Sequence, residues 1–431
     1  MKYTVLKTLP AALALALTVG VAHADPYNDT DGFHGYLRAG AGVSSTHGPQ
    51  SCYGLGGVTS KYRLGNECDS YFEGGYTHEI AKSDNGVTWV ATLWADAYSP
   101  NSDFGSSSLQ LAKAYVEAKG LPFLNGGTAW IGKRYYYRPD IHMLDMQFIN
   151  LNGTGGGFDK IGAGPGKFSY AFFKDNDTNQ IDPATGQVLN THAAIRQNFI
   201  YEGLPTNPGG TIDGDITVIT GQGRDKTATG GSDQSHNGWS ATLLHKQEVM
   251  GGGNTLGFQY GVGPGADIGV GSQGNSRVGG SASTQYGTDV KLSRLFDDIV
   301  VQPTKQFSAE FVALYQKDKA NDITMRNTWT TAGVRPVYAF TQNFKLQGEL
   351  GYTALKQDAT GDTAHLTKLT IAPTIAMGES YWSRPELRLY VTYGKWNAAA
   401  TPLVNAANNS GAVYGNGTSG ASAGLQLEAW W

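Results

Sequence analysis

Gly420-Ala421-Ser422-Ala423-Gly424 spells GxSxG, the spacing that raises a nucleophilic serine on a strand-to-helix elbow. A terminal strand follows this serine instead of a helix, so no elbow is expected. Gly162 to Lys167 approaches a phosphate-cradling loop, but Ile161 stands at its first glycine and Phe168 at its Ser/Thr. His78-Glu79 lacks the second histidine of a zinc site. Asp140 and Asp145 are close enough in sequence to suggest the acid and base of a glycan hydrolase. Arg138 beside them fits hydroxyl binding equally well, and no nucleophile–base pair accompanies them. The chain therefore reads as a non-enzyme, with no cofactor and no metal.

Cys52 and Cys68 are the only cysteines. In an oxidising compartment so close an even pair reads as one disulfide. Such a bridge contributes about 3 kcal/mol in the chain-entropy model, and here it is expected to pin a surface loop. A metal or redox site would need a CxxC or clustered histidines, which are missing.

What remains is rings and charges two residues apart. Tyr36 and Arg38 share one face of an extended segment, opposite Phe33, Leu37 and Ala39. Tyr71 and Glu73 share another, opposite Phe72 and Tyr76, and Trp430 falls with Gln426 and Glu428. An isolated aromatic on a strand is most simply packing against lipid or an interface. An aromatic on the charged face is placed to work in water.

Strands must carry these groups. Only 16% of residues are charged, and 59 are Gly, with Tyr more common than Phe. That balance suits many strands and turns, and it excludes a disordered chain. Period-two alternation recurs: Phe344, Leu346, Leu350 and Tyr352 oppose Lys345, Gln347 and Glu349. Phe307, Ala309, Phe311, Ala313 and Tyr315 oppose Ser308, Glu310 and Gln316, and Leu425, Leu427 and Ala429 oppose Gln426 and Glu428. No helical period is sustained.

Lys2 and Lys7, an apolar run from Leu9 to Val21 and Ala22-His23-Ala24 predict an export signal over residues 1–24. Asp25 then begins a single domain, 25–431. Of the 32 bases two fall in that leader, against 36 acids, so the mature chain is mildly acidic and offers nothing to nucleic acid. No later apolar run reaches the roughly 18 residues of a spanning helix. A secreted β-sandwich and an outer-membrane barrel remain. Whole charges on the polar face, aromatics at strand ends and a strand ending on Trp431 favour the barrel. Residues 150–166, 219–240, 261–285 and 398–423 read as long glycine-rich loops.

More specific than any of these signals are Phe33-His34-Gly35-Tyr36-Leu37-Arg38, Ser60-Lys61-Tyr62-Arg63-Leu64-Gly65-Asn66-Glu67-Cys68, the run Gly132 to Asp145, Trp382-Ser383-Arg384-Pro385 and Trp430-Trp431. In these segments, and in the spacing of its cysteines, the chain resembles the maltoporin family of outer-membrane sugar porins from end to end. The resemblance implies an all-β, 18-stranded antiparallel transmembrane β-barrel with an inward-folded constriction loop. It also implies a homotrimer in outer-membrane lipid, each barrel with its own pore for maltose and maltodextrins.

By the same resemblance an aromatic slide would comprise Tyr36, Tyr71, Phe104, Phe258, Trp382 and Trp430. The position given to Phe258 could equally fall on Leu256, on the same strand face. Phe104 stands where the family reaches a tryptophan into a neighbouring subunit's pore. A flanking polar track would comprise Arg38, Arg63, Glu73, Arg138, Asp140 and Asp145. Rings bind the C–H faces of sugars while charges exchange hydrogen bonds with hydroxyls, and shallow repeated sites let a chain slide.

Two positions depart from the family. Gln147 stands at the constriction in place of a tyrosine, and the region of Ala112 and Lys113 lacks an arginine. The smaller, non-aromatic residue at the constriction points to a somewhat wider or less maltose-selective passage. The leading expectation is a maltose and maltodextrin channel. A sucrose-type or broader oligosaccharide porin is the alternative within that class, and a secreted glycan-binding protein or outer-membrane hydrolase is the one outside it.

Overall fold

The computed structural model describes residues 29–431 apart from 47, 102, 106, 182–187, 223–234, 269–277, 285 and 409–410; side chains of 175–181 and 188–193 are also outside the description. The expected export signal lies outside the described residues. The strands in chain order begin with β1 (Gly32–Ser44), β2 (Ser70–Lys82), β3 (Thr88–Ser99), β4 (Ser108–Leu121) and β5 (Gly127–Arg134). A small ribbon, β6 (Asp140–Ile141) and β7 (Met146–Gln147), comes next, followed by β8 (Gly153–Ala163), β9 (Gly166–Ile181) and β10 (Val188–Pro205). Then come β11 (Gly210–Gln222), β12 (Gly238–Val249), β13 (Gly252–Val262), β14 (Lys291–Val301) and β15 (Phe307–Lys319). The last five are β16 (Asn327–Thr341), β17 (Phe344–Gln357), β18 (Thr363–Ala376), β19 (Glu386–Trp396) and β20 (Ser419–Trp430).

All but the small ribbon join one 18-stranded antiparallel sheet in which each strand pairs with its neighbours in sequence. β1 pairs with β20 as well as β2, which closes the barrel and leaves no edge. Alternation decides which face is which. On β17, Phe344, Leu350 and Tyr352 stay about 45% exposed on the outside, while Lys345, Gln347 and Glu349 are at most 2% exposed inside. β15 and β20 repeat this with Phe311 and Leu425 outside and Glu310 and Gln426 inside. A soluble sandwich would bury the apolar face; this molecule presents it outward around the barrel.

The turns at one end are mostly short and the connections at the other end mostly longer. Three of the long ones reach into the barrel among the described residues. One is the β13–β14 connection at residues 278–280, where Val278 bridges Ile149 and the Gly279 carbonyl accepts from inward-facing Thr217. Residues 49–69 lie against the inner wall of β16–β20, with Tyr53, Tyr62 and Leu64 buried. Glycines make the seats: a Cβ at Gly333 or Gly351 would collide with the Tyr62 ring, and one at Gly394 would come within 2.5 Å of Tyr53. Cys52 and Cys68 are bonded, as expected, but the bridge closes this buried loop and not a surface one. Residues 135–152 carry the β6–β7 ribbon inward. Loops 49–69 and 135–152 pair, with the amides of Lys61 and Arg63 donating to the carbonyls of Leu144 and Met143 at 3.1 and 3.0 Å.

Two expected loops are corrected. Within 150–166, Gly153–Ala163 is strand β8, because glycine there admits the close approach of β9: a Cβ at Gly155 or Gly157 would strike the carbonyls of Phe172 and Tyr170. Within 398–423, a short helix α1 (Thr401–Ala406) and the first residues of β20 take part of the span. The GxSxG run lies on β20, with no helix after it, and Gly162 to Lys167 forms the β8–β9 hairpin.

Candidate functional site: a ladder of rings in the bore

Closure of the barrel brings the two ends of the chain together in register. Tyr36 on β1 faces Glu73 across β2 and Trp430 across β20; Arg38 faces Tyr71 and Glu428. Since side chains two apart share a face, all six point into the barrel. The rings form a run: Tyr71 to Tyr36 at 6.1 Å between centroids, then Tyr36 to Trp430 at 6.5 Å and nearly parallel. His142 from the inward loop stands edge-on to Trp430 at 5.8 Å and to Trp382 at 5.4 Å, and Tyr381 meets Trp382 at 5.0 Å. Tyr71, Tyr36, Trp430 and Trp382 are each only partly buried.

Guanidinium groups lie over this run. Arg38 sits 5.5 Å from the Tyr71 centroid, Arg63 5.8 Å from Tyr36 and Arg384 4.4 Å from Trp430. The cations are in turn held by acids. Arg38 donates to Asp69 at 2.6 Å and Asp145 at 3.2 Å, Lys61 reaches the same two carboxylates, and Arg63 pairs with Glu428 at 3.0 Å and with Glu67. The Tyr36 hydroxyl donates to Glu428 and accepts from Arg63. Burial disfavours the charged form of Asp69, but Lys61 and Arg38 outweigh it and bring its carboxyl down to about 2. Burial is likewise overcome at Asp145, where Arg63, Arg38 and Lys61 hold the carboxyl well below the usual range. The two loop carboxylates, Asp69 and Asp145, are thus held in their charged form. The cluster offers fixed donors and acceptors beside the rings, and no strong nucleophile.

Glu73 accepts from the Tyr71 hydroxyl at 2.6 Å and from Arg138 at 3.5 Å, and Arg138 stacks 4.2 Å from the Tyr135 centroid. Asp140 is exposed on the small ribbon, directly across from Gln147, whose Oε1 accepts from Asn150. The structure thus gathers Tyr36, Tyr71, Trp382, Trp430, Arg38, Arg63, Glu73, Arg138 and Asp145 along one wall and the loops facing it.

One expected slide residue is elsewhere. Phe258 is half exposed on the outer face of β13, paired with Leu243 and Leu295, and Leu256 shares that face. The inner face there carries Gly257, which leaves room for the Phe296 ring, and buried Gln259. Phe296 instead packs against Phe148 of the inward loop at 4.6 Å. Phe104 lies on the β3–β4 loop with φ +57, its carbonyl accepting from Ser107, and its expected place is a neighbouring subunit's pore.

Other members were not singled out from sequence. Lys61, Glu67 and Asp69 could have been found as a run of alternating charges around Arg63 between the strands. Tyr381 and His142 had no such signal, because turns have no period to reveal which way a ring points.

A closed barrel with an apolar outside, a charged inner wall and loops folded into the bore defines an outer-membrane porin. The chain belongs to one family of these: residues 32–431 match the LamB porin family model. Among solved structures it is similar to Wzi, an outer-membrane carbohydrate-binding barrel involved in group 1 capsule assembly in Escherichia coli, at 10% identity over 91% of this chain and 83% of that one, TM-score 0.45. It is also similar to OccAB4 of Acinetobacter baumannii, at 10% identity over 94% and 100%, TM-score 0.46. The anion-selective porin of Comamonas acidovorans is similar at 11% identity over 93% and 98%, TM-score 0.40.

Proposed function

We propose that this porin conducts maltose and maltodextrins by passive, facilitated diffusion, as an exported homotrimer. The observation that carries this reading is the run Tyr71, Tyr36, Trp430, Trp382 on the water-facing wall, flanked by the ion pairs of Arg38 and Arg63 with Asp69, Asp145 and Glu428. Rings at this spacing offer successive C–H faces a weak hold, and the charges beside them replace hydroxyl hydration. No single contact is deep enough to trap the sugar. Gln147 at the expected constriction, with Ala112 and Lys113 where an arginine is missing, supports a second reading: a sucrose-type or broader oligosaccharide channel.

Planar-bilayer recordings with maltose, maltohexaose and sucrose in parallel test both. Maltohexaose at millimolar concentration should interrupt the ion current saturably and at lower concentration than maltose. Sucrose blocking as well as maltohexaose would favour the broader channel, and no block by any of the three would overturn sugar selectivity.

A further inference from the structure

Ahead of β1 the chain turns back into the barrel. Asp31 accepts from the amide of Glu79 at the end of β2, and Thr30 Oγ1 lies 2.9 Å from His34 Nε2, on the same face of β1 as Tyr36. Asp29 reaches as far as β4, where its carboxylate accepts from Lys113 Nζ at 2.5 Å and from the Tyr115 hydroxyl at 2.8 Å. Lys113 and Tyr115 are 7% and 4% exposed and project inward. β2 and β3 separate β1 from β4, a crossing of about 14 Å at the usual strand spacing. Three extended residues cover about 10 Å, and the two side chains supply the remainder. Asp31 stays at the open end of β1, its side chain 67% exposed against His78, and Asp29 crosses the inner face from there to the middle of β4 as a short strap.

The neighbouring acids are otherwise engaged. Asp96 accepts from the Tyr135 hydroxyl at 3.0 Å, and Glu73 is held by Tyr71 and Arg138. Lys113 has the Trp94 ring 3.5 Å below its ammonium and Asp29 as its ion-pair partner. Its charge would otherwise stand on the bore wall, where Lys113 occupies a stretch that lacks the expected arginine. We propose that Asp29 is an ion-selectivity determinant of the channel: as a resident of the bore it cancels the Lys113 charge. A fixed charge in a narrow, low-dielectric passage raises the local concentration of its counter-ion, so the strap sets the balance between cations and anions. This holds whichever sugar the channel prefers.

The test uses the mature protein in planar bilayers under a KCl gradient, with Asp29→Asn, Lys113→Met and the double variant. Heat-shifted gel mobility reports an intact barrel for each. Asp29→Asn should lower the cation-over-anion permeability ratio about twofold, Lys113→Met should raise it, and the double variant should return near the unaltered value. An Asp29→Asn channel with unaltered selectivity, beside a Lys113→Met channel that is shifted, would overturn the proposal. So would a mature chain shown by N-terminal sequencing to begin after Asp29.

Discussion

Trp430 and Tyr36 separate two contributions that a ladder of rings combines. Trp430 offers a ring with Arg384 on one side; Tyr36 offers a ring and a hydroxyl shared between Glu428 and Arg63. If the rings hold the sugar, Trp430→Ala should raise the half-blocking maltohexaose concentration about tenfold, the equivalent of an aromatic contact near 1.4 kcal/mol, while open-channel conductance changes far less. Tyr36→Phe keeps the ring and should cost less. Equal effects of Trp430→Ala on block and conductance would reduce Trp430 to a wall residue. These assignments were legible because each ring has a charged partner two residues away. Phe258 had no such partner. Its alternation with Gly257 and Gln259 was readable, but with no charge on either face nothing said which face was wet.

The inward loop 49–69 depends on a wall that yields to it. Gly333 and Gly351, neighbours on β16 and β17, leave the space filled by Tyr62, whose hydroxyl reaches Thr331. Gly351→Ala should therefore undock the loop at an overpacking cost of about 1–3 kcal/mol. Hydrogen exchange of the Lys61 and Arg63 amides should accelerate while the amides of β16–β18 stay protected. Unchanged protection at Lys61 and Arg63 would mean that the disulfide and ion pairs hold the loop without the glycine seat. The same residue type explains why the loops were misjudged: glycine marks a turn, a close strand approach or a socket for a ring, and composition alone does not say which. β8 is the second case and the Tyr62 seat the third.

Over the whole barrel, the reading of its two faces rests on the outer face meeting hydrocarbon. Ile371 lies mid-strand on the outside of β18, 53% exposed, and Ile375 four residues nearer the short turns is 60% exposed. Ile371→Lys should destabilise refolding into lipid by about 2–4 kcal/mol and Ile375→Lys by about 0–1, following depth in the bilayer. Urea titrations of refolded protein measure both. Equal penalties at the two sites would argue against a hydrocarbon slab around the strands.

Sequence by itself determined the period-two strands, the paired cysteines and the chemical kinds of the site: rings and charges alternating on the same faces. Those features are local, set by side-chain type and the two-residue repeat of extended chain. Tertiary structure decided what lies beside what. Tyr36 and Trp430 stand together only because β1 closes onto β20, 394 positions away in the chain. Asp69 and Asp145 meet Arg38, and Arg63 meets Asp145, only because two loops fold inward onto sockets that glycines leave open. Contacts of that range depend on barrel closure and on shape, and neither leaves a periodic trace in the residues that make them.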